Sequence, residues 1–330
     1  MSNTTTLQLL TKLRAWVFLI FLIIVFEVWS QTAYGRSFMA NSYNLRSLAV
    51  FAAVPLLLAL GQTFVIISAG IDLSVGFIMG LAAVVSAHAV GYFGEIGMPH
   101  VIAAILGIGF ASLVAVIPGI VNGWLVAALG IPPFIGTLGM YGVTRGAAFL
   151  FAGGMTVAVS NETMKFLGNG SLMGIPVLVF IVGGLCLVAH YVLSQTKFGQ
   201  HTYAMGANKA AADRAGINTR NLTIKIYALA GLFAGIAGAL YTARFSAGAA
   251  QAGEPLLLIS IAIVVIGGAS LFGGSGSISG TIAGALVISV IQYGLVYVNI
   301  EPFCQFIAVG VVIIISVFVD QFQSKMWGAS

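Results

Sequence analysis

The stretch AVFAAVPLLLALGQTFVIISAGIDLSVGFIMGLAAVVSAHAVGYFG, residues 49–94, contains one charged side chain, that of Asp72. A membrane-spanning helix needs about 20 mostly apolar residues, and apolar runs of that length lie on both sides of the segment GIDLSVG, residues 70–76. The glycines of this segment permit a break in the backbone, and Asp72 or Ser74 can cap a helix that starts there. The stretch therefore predicts two membrane helices joined at a polar break.

The composition of the whole chain supports the same conclusion. Of its 330 residues, 60% are hydrophobic and 6% are charged, whereas a soluble domain carries about 25% charged residues. We therefore predict an all-α integral membrane protein with about ten transmembrane helices in one domain, residues 1–330, some of them short or broken at glycines. The predicted segments are near 15–33, 45–68, 72–91, 100–129, 134–152, 174–194, 222–243, 255–270, 276–297 and 303–321.

The distribution of Lys and Arg predicts the orientation, because cytoplasmic loops carry an excess of both. If ten helices start from a cytoplasmic N-terminus, both termini and the basic loop near 195–224 face the cytoplasm. The cytoplasmic side then holds Lys12, Arg14, Lys197, Lys209, Arg214, Arg220, Lys225 and Lys325. The outer side holds Arg36, Arg46, Lys165 and Arg244. The excess of Lys and Arg on the cytoplasmic side thus explains the net charge of +5, and we predict no nucleic-acid partner.

The basic loop TKFGQHTYAMGANKAAADRAGINTRNLTI, residues 196–224, is too polar for the bilayer. Its alanine-rich part, residues 207–215, predicts a short helix that ends at Gly216. A solvated loop is one interpretation. A docking element for a cytoplasmic partner is the other, because loops this long between packed helices tend to have a function.

Asp72 also allows two interpretations, which are compatible. It is either a structural helix cap or a polar group that lines or gates a substrate path, because a carboxylate at membrane depth usually faces protein or water. Other polar residues lie in apolar segments, and together they predict a polar interior, although each alone is typical of a helix-to-helix hydrogen bond. They are Gln62, Thr63, Asn122, Thr137, Arg145 and Gln292.

No catalytic arrangement of Ser, His, Asp or paired carboxylates can be argued from the sequence, and no metal-ligand spacing is present. The glycine-rich segment 267–290 lacks the lysine of a Walker A motif, so it predicts a tight turn followed by a closely packed helix. It is weakly similar to residues 70–85, which would suit a protein with two related halves. We predict no enzyme activity, no metal and no cofactor bound by this chain.

Three segments resemble the ribose/galactoside/xylose-type permease subunits of bacterial ABC importers. They are GQTFVIISAGIDLSVG (61–76), TKFGQHTYAMGANKAAADRAGIN (196–218) and GGSGSISGTIAGALVISVIQYGL (273–295). PFIGTLGMYGVTRG (133–146) and PFCQFIAVGVVIIISVFVD (302–320) resemble the same family, so the resemblance covers nearly the whole chain. The chain departs from the family at Ala207, where a glycine is usual, and after Glu254, where an aspartate is missing.

The resemblance implies a permease domain in the bacterial inner membrane that moves a sugar or polyol inward. It implies three protein partners: a second permease chain, taken to be identical, a cytoplasmic ABC ATPase that holds ATP and magnesium, and a periplasmic or extracytoplasmic sugar-binding protein. The residues expected to couple to the ATPase are Gly206, Ala207, Asn208, Lys209, Ala211, Ala212, Arg214, Gly216 and Ile217. The residues expected to line or gate the path are Gln62, Thr63, Asp72, Ser74, Asn122, Phe134, Thr137, Arg145 and Glu254.

Three other functions fit a chain of this composition. In an ion-coupled secondary transporter of a small polar solute, Asp72, Glu27 and Arg145 would be relay groups. Such a transporter stops when an uncoupler collapses the ion gradient, whereas an ATP-driven importer continues. A membrane-embedded enzyme would need a catalytic constellation, and a passive channel would have no use for the motif in the 196–224 loop.

Overall fold

The computed structural model describes residues 2–327, and in this part of the chain thirteen helices account for almost all regular structure. Four two-residue strands form two small antiparallel pairs, in which Val157 faces Gly248 and Ser171 faces Pro176. The helices are α1 (Ser2–Tyr34), α2 (Ser42–Ile67), α3 (Val75–Glu95), α4 (His100–Ala128), α5 (Pro133–Ala152), α6 (Glu162–Asn169), α7 (Val177–Gln195), α8 (Lys197–Ala207), α9 (Lys209–Arg214), α10 (Thr219–Phe245), α11 (Glu254–Ile266), α12 (Ile278–Tyr297) and α13 (Pro302–Trp327). The strands are β1 (Val157–Ala158), β2 (Ser171–Leu172), β3 (Ile175–Pro176) and β4 (Ala247–Gly248).

Each of the ten predicted apolar segments corresponds to a helix, so the all-α membrane fold is confirmed. Within the described residues, seven helices are long and apolar enough to cross a membrane: α1, α2, α3, α4, α7, α10 and α12. The eighth predicted segment, 255–270, is shorter than expected. Its helix α11 has 13 residues and ends before Gly267, where the tight turn predicted from the glycines begins. At about 1.5 Å per residue, α11 spans only about two thirds of a bilayer core of about 30 Å.

The long helix α10 is the centre of the molecule and packs closely against α2, α3 and α4. Glycines make this approach possible. A Cβ added at Gly119 of α4 would lie 2.4 Å from the carbonyl oxygen of Tyr227, and one at Gly231 of α10 would lie 2.5 Å from that of Ala115. Without a hydrophobic driving force between membrane helices, such close van der Waals contact is what holds them together.

Two of the apolar helices begin inside the molecule. Helix α2 ends at Ile67, and the non-helical segment 68–74, here called the break, leads to the start of α3. After α10 the chain turns back along α3 through residues 246–253, here called the return. Added Cβ atoms at Gly248 and Gly80 would clash with the backbones of Ala83 and Ala250, respectively.

The return ends where α3 begins, at a glycine-to-glycine contact. A Cβ on Gly76 would meet the carbonyl oxygen of Gly253 at 2.5 Å, and a Cβ on Gly253 would meet that of Gly76 at 2.1 Å. From this junction α3 runs parallel to α10, since Thr242 donates to the carbonyl of Ala83. Helix α11 runs antiparallel to α12, which places Gly267 beside Gly280. Helices α3 and α11 therefore start together and run in opposite directions.

Candidate functional site

The break is stabilised by a buried polar network centred on Asp72. Its Oδ1 accepts hydrogen bonds from the N–H and the hydroxyl of Ser74, at 2.8 and 2.6 Å. The amide of Asn122, on α4, donates to the Ser74 hydroxyl at 2.7 Å, and the amide of Gln62, on α2, donates to the Asp72 carbonyl at 2.6 Å. All four side chains are fully buried. Four of the residues predicted to line the path are thus brought together by three elements.

Three oxygens of this network have no hydrogen-bond partner among the described residues: Oδ2 of Asp72, Oε1 of Gln62 and Oδ1 of Asn122. All three are acceptors. A buried polar atom left unpaired costs about 1–3 kcal/mol, so the network gains free energy in any state that admits hydrogen-bond donors. Water and the hydroxyl groups of a solute are such donors.

Two further hydroxyls hold the backbone of the break in place. Thr137, on α5, and Tyr227, on α10, each place a hydroxyl 3.3 Å from the carbonyl oxygen of Ile71. Side chains can satisfy a non-helical carbonyl in this way where lipid cannot. Thr137, a predicted path residue, therefore belongs to the rim of the network, and Tyr227 is a contributor that the sequence analysis missed.

Two predicted path residues lie outside this network. Thr63 shares a 2.7 Å hydrogen bond with Thr281, so it joins α2 to α12 and has a structural contact of its own. Phe134 lies exposed in the first turn of α5. Neither side chain contributes a hydrogen bond to the break, because the Thr63 hydroxyl bonds Ala59 and Thr281 and phenylalanine has no polar side-chain group.

Arg145 and Glu254 come together in a second group, here called the outer cluster, with Tyr141 and Phe77. The Tyr141 hydroxyl lies 3.4 Å from Oε1 of Glu254 and 3.5 Å from Nη1 of Arg145, and the two charged groups are 3.9 Å apart. The buried Phe77 ring lies edge-on to Tyr141, at 4.8 Å, and 5.3 Å from the Arg145 guanidinium. The sequence analysis missed Tyr141, although Thr137, Tyr141 and Arg145 have the i, i+4, i+8 spacing of one helix face.

The basic loop is folded into the helices α8 and α9, and α8 is docked through Gly206. A Cβ on Gly206 would lie 1.8 Å from the carbonyl oxygen of Ile67 and 2.7 Å from the backbone nitrogen of Gly274. The same Ile67 oxygen accepts the N–H of Gly274 at 2.9 Å. The ends of α8 and α2 and the glycine-rich turn 267–277 therefore meet at one point.

Tyr203 adds a second link between α8 and the glycine-rich turn. Its hydroxyl donates to the carbonyl oxygen of Gly276 at 2.7 Å. Burial raises the pKa of the Tyr203 phenol above its usual value, so the hydroxyl remains protonated and available as a donor. The contact fixes the face of α8 that points toward the membrane helices.

Helix α9 presents the rest of the predicted coupling residues. It occupies Lys209–Arg214, inside the predicted 207–215, and Asn208 caps it by accepting the N–H of Ala211 at 2.9 Å. Gly216 follows with a φ of +85°, which favours glycine. Ala207, Asn208, Lys209, Ala211, Arg214 and Gly216 are exposed, Ile217 is half-buried, and Gly206 is buried. Ala212 is buried as well, so its side chain packs against the membrane helices and is closed to a partner.

A cleft of about 390 Å³ lies between the α8–α9 corner and the break. Its lining includes Asn208 and Lys209 of the corner, Ser68 and Gly70 of the break, and Tyr227. Because the Tyr227 hydroxyl also contacts the Ile71 carbonyl, this side chain links the cleft to the buried polar network.

Helices that begin inside the molecule at a polar break, together with an exposed helix pair on one side, define a polytopic membrane transport protein. The chain belongs to the family described as branched-chain amino acid transport system / permease component, whose model matches residues 44–317. It is a multi-pass protein of the bacterial inner membrane, as predicted. No solved structure matches the chain.

Several curated relatives are sugar permeases. The chain is 37% identical to the ribose import permease protein RbsC of Escherichia coli (strain K12), over 84% of this chain and 85% of the relative. It is 37% identical to the fructose import permease protein FrcC of Rhizobium meliloti, over 80% and 74%, respectively. It is 30% identical to the xylose transport system permease protein XylH of Haemophilus influenzae, over 95% and 98%. The predictions of family and of permease class are confirmed.

Proposed function

We propose that this chain is the membrane subunit of an ATP-driven importer that carries a monosaccharide or polyol inward, with ATP and magnesium bound by a separate cytoplasmic chain. The observation that carries the proposal is the meeting of three motifs. The exposed helix α9 directly follows α8, whose Gly206 packs on the end of α2 and the glycine-rich turn, and α2 leads directly into the polar break. The sugars named for the curated relatives favour a neutral sugar substrate.

The coupling step of this proposal is mechanical. Closure of the ATPase pair on ATP shifts α9 through its exposed residues, among them Lys209, Ala211 and Arg214. Since Gly206 packs directly on the backbone of Ile67, α8 and the end of α2 move together. The break absorbs the change in backbone dihedrals, as short non-helical segments do at hinges. ATP hydrolysis then restores the first state.

The path in this proposal runs past Gln62, Asp72, Ser74, Asn122 and Thr137. In the described state the network is closed and three acceptors are unpaired. Opening admits water or sugar hydroxyls, which donate to these oxygens. The permease thus supplies different contacts in two states, which is all that alternating access requires of it.

A second, identical permease chain completes the path. Arg145 and Glu254 leave 49% and 44% of their side chains exposed, and charged groups at membrane depth require water or protein around them. We place the partner chain across this face, with residues 1–330 acting as one domain and the sugar-binding protein docking on the outer side.

Copurification tests the proposal most directly. The tagged chain, purified in mild detergent from its own organism, should retain an ATPase chain and a second copy of itself. In membrane vesicles, added binding protein loaded with sugar should stimulate ATP hydrolysis. Purification of an active transporter without any ATPase would overturn the proposal.

The ion-coupled alternative is favoured by one observation, the unpaired oxygen of the buried Asp72. It predicts sugar uptake that collapses with an uncoupler while cellular ATP is maintained. Uptake that persists under these conditions and stops on ATP depletion identifies the ATP-driven importer.

A further inference from the structure

The outer cluster has unused capacity for hydrogen bonds. The contacts among Tyr141, Arg145 and Glu254 are 3.4, 3.5 and 3.9 Å long, whereas hydrogen bonds with a charged donor or acceptor are usually about 2.7–2.9 Å. Arg145 and Glu254 are also about half exposed. The three groups are therefore near one another without satisfying one another, and a ligand can enter between them.

The position of the cluster excludes lipid as its normal environment. Arg145 lies in the second half of α5, and Glu254 is the first residue of α11, directly after the Gly76–Gly253 contact. Both charges thus lie beside the point where α3 and α11 begin inside the molecule. At that depth a guanidinium and a carboxylate face water or protein, so this surface is hydrated when the path is open to it.

The chemistry of the cluster suits a neutral polyhydroxylated ligand. The Glu254 carboxylate accepts hydrogen bonds, the Arg145 guanidinium donates several, and the Tyr141 hydroxyl does both. The two charges cancel, so neither an anion nor a cation is favoured. Phe77 is fully buried and serves as a platform, because its edge-on contact with Tyr141 and its contact with the guanidinium limit the movement of both.

The cluster is also continuous with the buried polar network. Thr137, Tyr141 and Arg145 follow one another along one face of α5, and Thr137 contacts the Ile71 carbonyl of the break. Phe77 lies in the first turn of α3, three residues beyond Ser74 of the network. A ligand released from the outer cluster therefore reaches the break next.

We propose that Tyr141, Arg145 and Glu254 form a contact site for the sugar within the membrane, ahead of the break, and contribute to the choice of sugar. This inference rests on the proposed function and adds a specificity-determining site to it. Sugar hydroxyls replace the long contacts of the cluster with short ones, and epimers that place a hydroxyl differently lose part of that gain.

The test uses the complete complex of permease, ATPase and binding protein, reconstituted in liposomes with radiolabelled D-ribose, D-xylose and D-fructose as probes. The variants are Tyr141→Phe and Glu254→Gln. The matched control is Glu162→Gln, which alters an exposed carboxylate paired at 3.0 Å with Lys165 on α6. The same binding protein serves every variant, so a change in sugar preference must arise in the permease.

Each cluster variant should change the ratio of kcat/KM between two of the sugars by about three- to tenfold, the effect of one hydrogen bond to a hydroxyl. The control Glu162→Gln should leave the ratio, the basal ATP hydrolysis and the assembly of the complex unchanged. Cluster variants that lower uptake of all sugars by one factor, or that change nothing, overturn the site. If the complex with Glu254→Gln fails to assemble, the sugar preference of Tyr141→Phe, which removes a single hydroxyl, tests the site. A wild-type complex that moves these sugars without hydrolysing ATP would refute the proposed function itself.

Discussion

Asp72 shows how much can depend on one carboxylate oxygen. Its Oδ1 accepts two hydrogen bonds from Ser74, and this contact fixes the residue directly before the first turn of α3. Its Oδ2 has no partner among the described residues. From the sequence alone, a structural role and a path role for Asp72 are compatible interpretations, and its two oxygens differ in the same way: one binds Ser74 and the other is unpaired within the described part of the chain.

The substitution Asp72→Asn should therefore be tolerated in an ATP-driven importer. Asparagine keeps an acceptor for Ser74 and replaces the unpaired acceptor with an amide donor, so sugar uptake and thermal stability should be retained. Asp72→Ala removes the acceptor of both Ser74 hydrogen bonds and should lower the free energy of unfolding by about 1–3 kcal/mol. Uptake assays and thermal unfolding in detergent measure both. Loss of uptake in a well-folded Asp72→Asn variant would instead favour an ion relay.

Gly206 gives a second prediction for a single residue. In Gly206→Ala the new methyl group would lie 1.8 Å from the Ile67 carbonyl oxygen, so α8 must move away from α2. We expect a loss of about 1–3 kcal/mol in the free energy of unfolding, typical of overpacking, and ATP hydrolysis that no longer drives uptake. The measurement is the number of sugars transported per ATP.

Gly184→Ala, on α7, is the control for this change, because a Cβ there meets no other atom within 4 Å. It should keep normal coupling and gain up to about 1 kcal/mol in helix stability. An equal number of sugars transported per ATP in the two alanine variants would show that the Gly206 contact does not transmit the movement.

Among the elements, α9 is the one whose exposed face we expect to bind the ATPase. Ala211 and Ala212 are neighbours in sequence, yet Ala211 is exposed and Ala212 is buried. Ala211→Trp should leave the permease folded and abolish ATPase binding, because it adds bulk to the outer face. Ala212→Trp should destabilise the permease itself by about 1–3 kcal/mol. Pull-down with the ATPase and thermal unfolding separate the two effects, and retained ATPase binding by Ala211→Trp would place the docking surface elsewhere.

The elements were largely predictable from the sequence, and their contacts were not. Apolar runs and glycines located every membrane helix, and Gly216 marked the end of α9, because these features are local. The return, residues 246–253, could not be predicted, since its course depends on glycine contacts with α3 that are distant in sequence. Tyr141 was missed for a related reason, because its partner Glu254 lies more than 100 residues away.

The whole molecule is organised around two helices that start together and diverge. Helices α3 and α11 meet at Gly76 and Gly253, and each is preceded by a non-helical segment, the break or the return. Discontinuous helices of this kind allow polar groups to lie at membrane depth, because their free backbone groups are satisfied within the protein. The weak sequence similarity between residues 70–85 and 268–290 does not correspond to this pair, since 267–277 is a turn between α11 and α12.

The orientation of the whole chain can be tested by chemical labelling. Lys165 lies on α6, which packs on the end of α10 at Ala243, and Lys209 lies on α9, near its start at Thr219. The 27 residues of α10 separate the two sites by about 40 Å, which exceeds the bilayer core of about 30 Å. In a Cys304→Ser background, which removes the exposed native thiol, Lys165→Cys should react with a membrane-impermeant maleimide on intact spheroplasts.

Lys209→Cys should react with the same reagent only after the membrane is permeabilised. Both side chains are exposed, so a difference in labelling reports the side of the membrane rather than burial. The reversed pattern would place α9 outside the cell, where no ATP-hydrolysing chain could reach it, and would refute both the cytoplasmic termini and the coupling role of α8 and α9. Labelling of both sites on intact cells would mean that α10 does not cross the membrane.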